Sequence, residues 1–239
     1  MTPSPWLDET EARDSICRVG RSLFERGYVH ATAGNISVRL ADGWLITPTD
    51  ACLGRLEPQR LARVDAAGQQ VSGDRASKTL ELHRRIYSAT EAAGQPVSCV
   101  LHTHSTHLVA TSLLQCGTRN GPANETAELL PPLTPYFVMK VGRVPHIPYE
   151  RPGAPEAALA VERAIAHHAE AGHPIRAVML ARLGPVVWHE RPEAAMATLE
   201  ELEETARLWM LTRGSDGAHP AALDPAALET LRRSFGASW

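Results

Sequence analysis

The dipeptide Asp42-Gly43 restricts this chain more than any other pair of residues in it. Such a pair closes a two-residue hairpin, because both turn positions need backbone angles that Asp tolerates and Gly adopts freely. On its N-terminal side, Thr32-Ala33-Gly34-Asn35-Ile36-Ser37-Val38-Arg39 passes from small and polar residues into strand-like alternation, and Trp44-Leu45-Ile46-Thr47-Pro48-Thr49 follows on the other side. Two antiparallel strands are predicted. Residues 61–64 and 69–72, joined by Asp65-Ala66-Ala67-Gly68, repeat the pattern as a second hairpin.

Helical periodicity places a first helix over residues 8–26, with Ile16, Val19, Leu23 and Phe24 on its apolar face and Gly27 where a C-cap belongs. A second is expected over 77–90, with Ser77 as N-cap and Leu80, Leu82, Ile86 and Tyr87 as apolar positions. Further helices are expected over 107–114, 157–168 and 192–213, the last with Pro at its first turn. Short strands are expected at 98–102, 138–141, 144–147, 177–180 and 186–188, and a loop over 120–135. Hairpins mixed with helices argue for an α/β sandwich with a largely antiparallel sheet. One domain is expected over residues 1–213, and the Gly, Ala and Pro rich stretch 214–239 reads as a tail carrying a last helix over 225–235.

Composition narrows the function classes. A net charge of -3 over 239 residues, with no basic cluster interleaved with aromatics, argues against a nucleic-acid groove or an anionic membrane surface. A small-molecule ligand fits better. Cys17, Cys52, Cys99 and Cys116 are widely spaced and read as reduced core residues rather than a disulfide framework. No apolar run approaches the ~18 residues of a membrane span, and no signal peptide is read at the start, so a cytoplasmic protein is expected.

Chemistry concentrates in Val100-Leu101-His102-Thr103-His104-Ser105-Thr106-His107. Side chains two apart on a strand share a face, so His102 and His104 can offer two imidazoles to one ion. That is half of a metal site. The same spacing also suits ordinary polar residues at a strand end.

Taken together, the segments at 32–39, Leu45-Ile46-Thr47-Pro48-Thr49, Ala76-Ser77-Lys78 and His102-Thr103-His104-Ser105 resemble the class II aldolase and adducin family in order and spacing. Pro135-Tyr136-Phe137-Val138-Met139, Arg151-Pro152-Gly153 and Leu202-Glu203-Glu204-Thr205-Ala206 are most similar to its 3-oxo-tetronate 4-phosphate decarboxylase branch. The resemblance implies an αβα sandwich, a homotetramer with active sites at subunit interfaces, a divalent metal, usually zinc, and a phosphorylated sugar acid as substrate. It places Thr32, Gly34, Asn35, Thr49, Ser77 and Lys78 around the phosphate, His102 and His104 on the metal, and Tyr136 near a proton-transferring hydroxyl.

Three positions depart from the family pattern. Its catalytic Glu after Ser-Lys is Thr79, and its third metal histidine, before Gly184, is Leu183. Asp50 replaces a small residue beside the phosphate, where its carboxylate repels an anion unless it points away. Neither Thr79 nor Leu183 supplies a base or a metal ligand, so Thr79 enters the catalytic position only by its place, and Glu81 faces another way on a helix. His146 and His107 are the substitute ligands nearest in sequence. The expected activity is a decarboxylase giving dihydroxyacetone phosphate and carbon dioxide. The alternatives are an aldolase, a repurposed metal enzyme such as an iron-dependent oxygenase, and an inactive paralogue serving as a binding or assembly protein.

Overall fold

A computed structural model describes residues 6–118, 127–214 and 218–239, with the backbone alone at 116–118. The Cys116 side chain, residues 120–126 of the expected loop and residues 215–217 of the tail lie outside what it describes. The helices are α1 (Glu9–Glu25), α2 (Leu80–Ala92), α3 (Thr106–Thr118), α4 (Pro135–Lys140), α5 (Pro155–Glu170), α6 (Pro192–Leu211) and α7 (Pro225–Phe235). The strands are β1 (Asn35–Leu40), β2 (Gly43–Ile46), β3 (Ala62–Asp65), β4 (Gln70–Ser72), β5 (Cys99–His102), β6 (His146–Ile147), β7 (Ala177–Leu180) and β8 (Gly184–His189). They form one sheet in the order β4-β3-β2-β1-β5-β8-β7-β6. It is an α/β fold with a mainly antiparallel sheet: β1–β2, β2–β3, β3–β4 and β1–β5 all pair antiparallel, and β6–β7 is parallel.

The chain divides into two compact units, residues 1–104 with 187–196, and residues 105–186 with 197–239. In the first, the β1–β2 hairpin forms where expected, but Gly43 pairs with Leu40 as the first residue of β2, so the two-residue loop is Ala41-Asp42 rather than Asp42-Gly43. A Cβ on Gly43, at φ 148, would lie 2.1 Å from the Val64 carbonyl oxygen. Beside it the buried Arg63 guanidinium reaches Asp42 at 2.5 Å and Glu9 at 3.2 Å, tying the hairpin to the start of α1. Asp8 caps α1 by accepting from the Glu11 N–H, and Gly27 follows its end at φ 74.

Alternation along β1 sorts its side chains. Ser37 and Arg39 face α2, where Ser37 meets His83 and Tyr87 and Arg39 pairs with Glu91 at 2.8 Å. Ile36 and Val38 point the other way and are fully buried, and α1 packs against β1 and β2. Helices thus cover both faces. The first turn of α6 joins this unit through Glu193, which accepts from Ser15 at 2.6 Å and Arg18 at 2.9 Å.

In the second unit, the strand expected at 138–141 is instead helix α4. Thr134 caps it by accepting from the Phe137 N–H at 3.1 Å, and Pro135 occupies its first turn. Helix α7 packs against α4 through Val138, Leu231 and Ala237, and Trp239 meets Phe137 edge to face at 5.6 Å. Glu203, buried on α6, accepts from the His107 and Leu108 N–H groups and so satisfies the start of α3. Of the cysteines, Cys99 is buried as expected, whereas Cys17 and Cys52 are only partly buried, and all three are free thiols. Among the described residues no helix is long and apolar enough to cross a membrane.

Candidate active site

The first unit brings most of the sequence-predicted residues to one end of the β1–β5 pair. Asn35, the first residue of β1, is the register partner of His102, the last residue of β5. Gly34 precedes it at φ 86, and a Cβ there would stand 2.8 Å from the His102 carbonyl oxygen, 3.0 Å from Val29 and 3.2 Å from Leu53. Only glycine fits. The turn before it is held by the Ala33 N–H donating to the His30 carbonyl at 2.9 Å. Thr32 is exposed, whereas Asn35 is buried, with its side-chain Oδ1 lacking a hydrogen-bond partner.

The other candidate phosphate residues adjoin a bridge between Pro48 and Ala76, flanked by the Thr49 N–H donating to Arg75 and the Ser77 N–H donating to Thr47. It sets Thr49 opposite Arg75, and Thr47 opposite Ser77, the residue before Lys78. Ser77 does not cap α2, because the chain makes one more turn first. The Ser77 hydroxyl lies 2.9 Å from the Thr79 hydroxyl, and Thr79 occupies the N-cap without a side-chain cap bond. Lys78 is exposed. Asp50 is exposed too, in the left-handed region at φ 57, so its carboxylate stands in water rather than walling off the loop.

Two imidazoles on one tetrahedral ion at about 2.0–2.1 Å have ring centres about 5 Å apart. The rings of His102 and His104 lie 5.0 Å apart, inclined at 63°. The spacing of the two ring centres matches that of two imidazoles on one ion. Burial, followed by the charge of His30, holds His104 below the usual imidazole range, which favours the neutral ligand form. Beneath lies a residue the sequence reading passed over. His83 of α2 is fully buried, its Nδ1 2.7 Å from the Ser37 hydroxyl and its Nε2 without a partner. Burial, then His102, pushes its pKa down to about 3. The apolar neighbours Leu80, Leu82 and Ile86 gave no sign that a histidine shares the inward face.

Neither proposed substitute ligand is idle. His107 places Nδ1 2.8 Å from Glu203, and the buried His146 places Nε2 2.9 Å from the Ser112 hydroxyl, which also accepts from the Arg182 N–H. Among the described residues no three His, Cys, Asp or Glu side chains are arranged to hold an ion as they stand. Tyr136, expected near a proton-transferring hydroxyl, is on α4 and 63% exposed.

The sequence matches the class II aldolase and adducin N-terminal domain over residues 14–210. It is 50% identical over 232 residues to a 3-oxo-tetronate 4-phosphate decarboxylase of Cupriavidus necator, covering 97% of this chain and 99% of that one. The crystal structure of YgbL from Escherichia coli aligns with a TM-score of 0.77 at 36% identity, over 94% of this chain and 99% of that one. That of the L-fuculose-1-phosphate aldolase from Thermus thermophilus aligns with a TM-score of 0.69 at 28% identity, over 89% and 99%.

Proposed function

The chain belongs to the class II aldolase and adducin family, and from that premise we propose that it is a carbon–carbon lyase that decarboxylates 3-oxo-tetronate 4-phosphate. The observation that carries this reading is a shared wall. The His102 carbonyl backs directly onto Gly34, so the residue pair suited to a cation and the loop suited to a phosphate adjoin. The full-length likeness to a decarboxylase of that name supports the choice of substrate.

Such a substrate is a β-keto acid. Its C1–C2 bond breaks, the electron pair becomes a C2=C3 bond, carbon dioxide leaves, and a proton added at C2 gives dihydroxyacetone phosphate. His102 and His104 would hold a divalent ion, zinc by family habit, which when bound would supply the positive charge that stabilises these electrons. Thr32, Gly34, Asn35, Thr49 and Ser77 hold the phosphate with neutral donors and close backbone, and Lys78 adds the one full positive charge. Tyr136 or water delivers the proton at C2. Its exposed phenol suits service to a neighbouring copy within a homotetramer.

This reaction needs an electron sink more than a base, so it tolerates Thr79 better than aldol cleavage does. The Thr79 hydroxyl, engaged with Ser77, favours a second reading in which the chain keeps the fold without turnover. The two separate in one assay. The purified chain with zinc, manganese or iron added is given 3-oxo-tetronate 4-phosphate, and carbon dioxide and dihydroxyacetone phosphate are measured. Equal amounts of both support the decarboxylase, and no release with any of the three metals overturns it.

A further inference from the structure

A third imidazole stands at this end of the sheet. The ring of His30 lies edge-on to that of His104, with centres 6.5 Å apart and planes at 74°, and His104 in turn lies 5.0 Å from His102. Nothing in the spacing of the sequence joins His30 to the other two. The turn between His30 and Ala33 brings it there.

As placed, the outer ring is too far to share an ion. Two coordinated imidazoles have centres about 5 Å apart, so His30 must advance by roughly 1.5 Å toward His104 and swing toward His102. Its side chain is exposed, and rotation about its two side-chain bonds covers such a distance. The backbone need not follow, because the His30 carbonyl is held by Ala33 and Ala31 already occupies a turn conformation at φ 48. The alternatives nearer in sequence are engaged elsewhere, His107 with Glu203 and His146 with Ser112.

We propose that His30 turns inward when metal is taken up and completes a three-imidazole site with His102 and His104 for a zinc-class divalent ion. The inference rests on the reading that His102 and His104 share an ion. It explains how a chain with Leu183 in place of a metal histidine keeps a usable site, since three neutral imidazoles and a water make a four-coordinate set.

The test is a Co(II) titration of the metal-free full-length chain, followed by visible absorption, for the wild type, His30→Ala and His102→Ala. Wild type binds one Co(II) per chain with a tetrahedral-type spectrum. His30→Ala weakens binding by more than the roughly 10- to 100-fold that losing an outer-shell partner costs, and lowers the absorption. Thermal unfolding of the metal-free protein is unchanged by this exposed substitution. If His30→Ala matches wild type in affinity and spectrum while His102→Ala loses binding, the inference is overturned and the decarboxylase reading stands. If wild type binds Co(II) through His30 but releases no carbon dioxide from the substrate, the inference stands and that reading falls. No Co(II) binding by wild type overturns the inference outright.

Discussion

The Gly34 turn and the histidine end of β5 touch, yet they are built by opposite means. At the turn the work is done by backbone: Gly34 at φ 86, with no room for a Cβ against the His102 carbonyl. At the histidine end it is done by side chains, two rings 5.0 Å apart and a third 6.5 Å from the nearer of them. Backbone geometry survives most substitutions around it, whereas a side-chain site changes with each residue. The departures at Thr79 and Leu183 follow this division, altering functional groups and leaving the turn intact.

The largest effect is expected where the two means meet. Gly34→Ala forces a side chain into left-handed backbone and drives its Cβ to 2.8 Å from the His102 carbonyl oxygen. Urea unfolding should show a loss of about 2–4 kcal/mol from strain and overpacking together, and Co(II) binding should weaken as β5 shifts. Unchanged metal binding in a destabilised variant would separate the two regions.

Acid titration comes next. His83 is held to about 3 against an ordinary value of 6.5, so the unfolded chain binds a proton that the folded chain refuses between those limits. The imidazole costs no stability above pH 6.5, and stability falls as pH drops below it, by about 1.4 kcal/mol per unit, or about 2 kcal/mol at pH 5. His83→Gln should make the fall between pH 6.5 and 4 shallower by one proton's worth. An identical slope would remove His83 as its source.

Smaller effects belong to the exposed rim. Lys78→Ala should raise KM about tenfold with kcat nearly unchanged, the loss expected for one charged hydrogen bond to a phosphate. A fall in kcat alone would place Lys78 on the reacting atoms instead. Asp50→Gly should lower KM by only about two- to threefold, since a carboxylate in water repels weakly. A tenfold gain would mean that the carboxylate faces the anion.

What could be read in advance follows the same split. Helix α1, the β1–β2 hairpin and β7 at Ala177–Leu180 are specified by neighbours in the chain, and the structure has them close to where local pattern placed them, although the hairpin loop is Ala41-Asp42, one residue before the expected Asp42-Gly43. Residues 138–141 misled because an apolar run looks like a strand, although Thr134-Pro135 carries the cap and first-turn signal of α4. Ser77 misled because a serine followed by a helix reads as its cap, while the chain turns once more to Thr79. His30 and the buried His83 were illegible for a plainer reason. What matters about each is a ring from a distant segment, and no local pattern encodes that.

The close approach of Gly34 to the His102 carbonyl has an evolutionary corollary. A change that widens the anion turn for a bulkier ester must push on the last peptide of β5, so alterations at the two ends are epistatic. A descendant wishing to handle a new phosphoester would have to acquire compensating mutations around the imidazoles first, which predicts that substrate range in such a lineage drifts slowly even while its catalytic groups are exchanged.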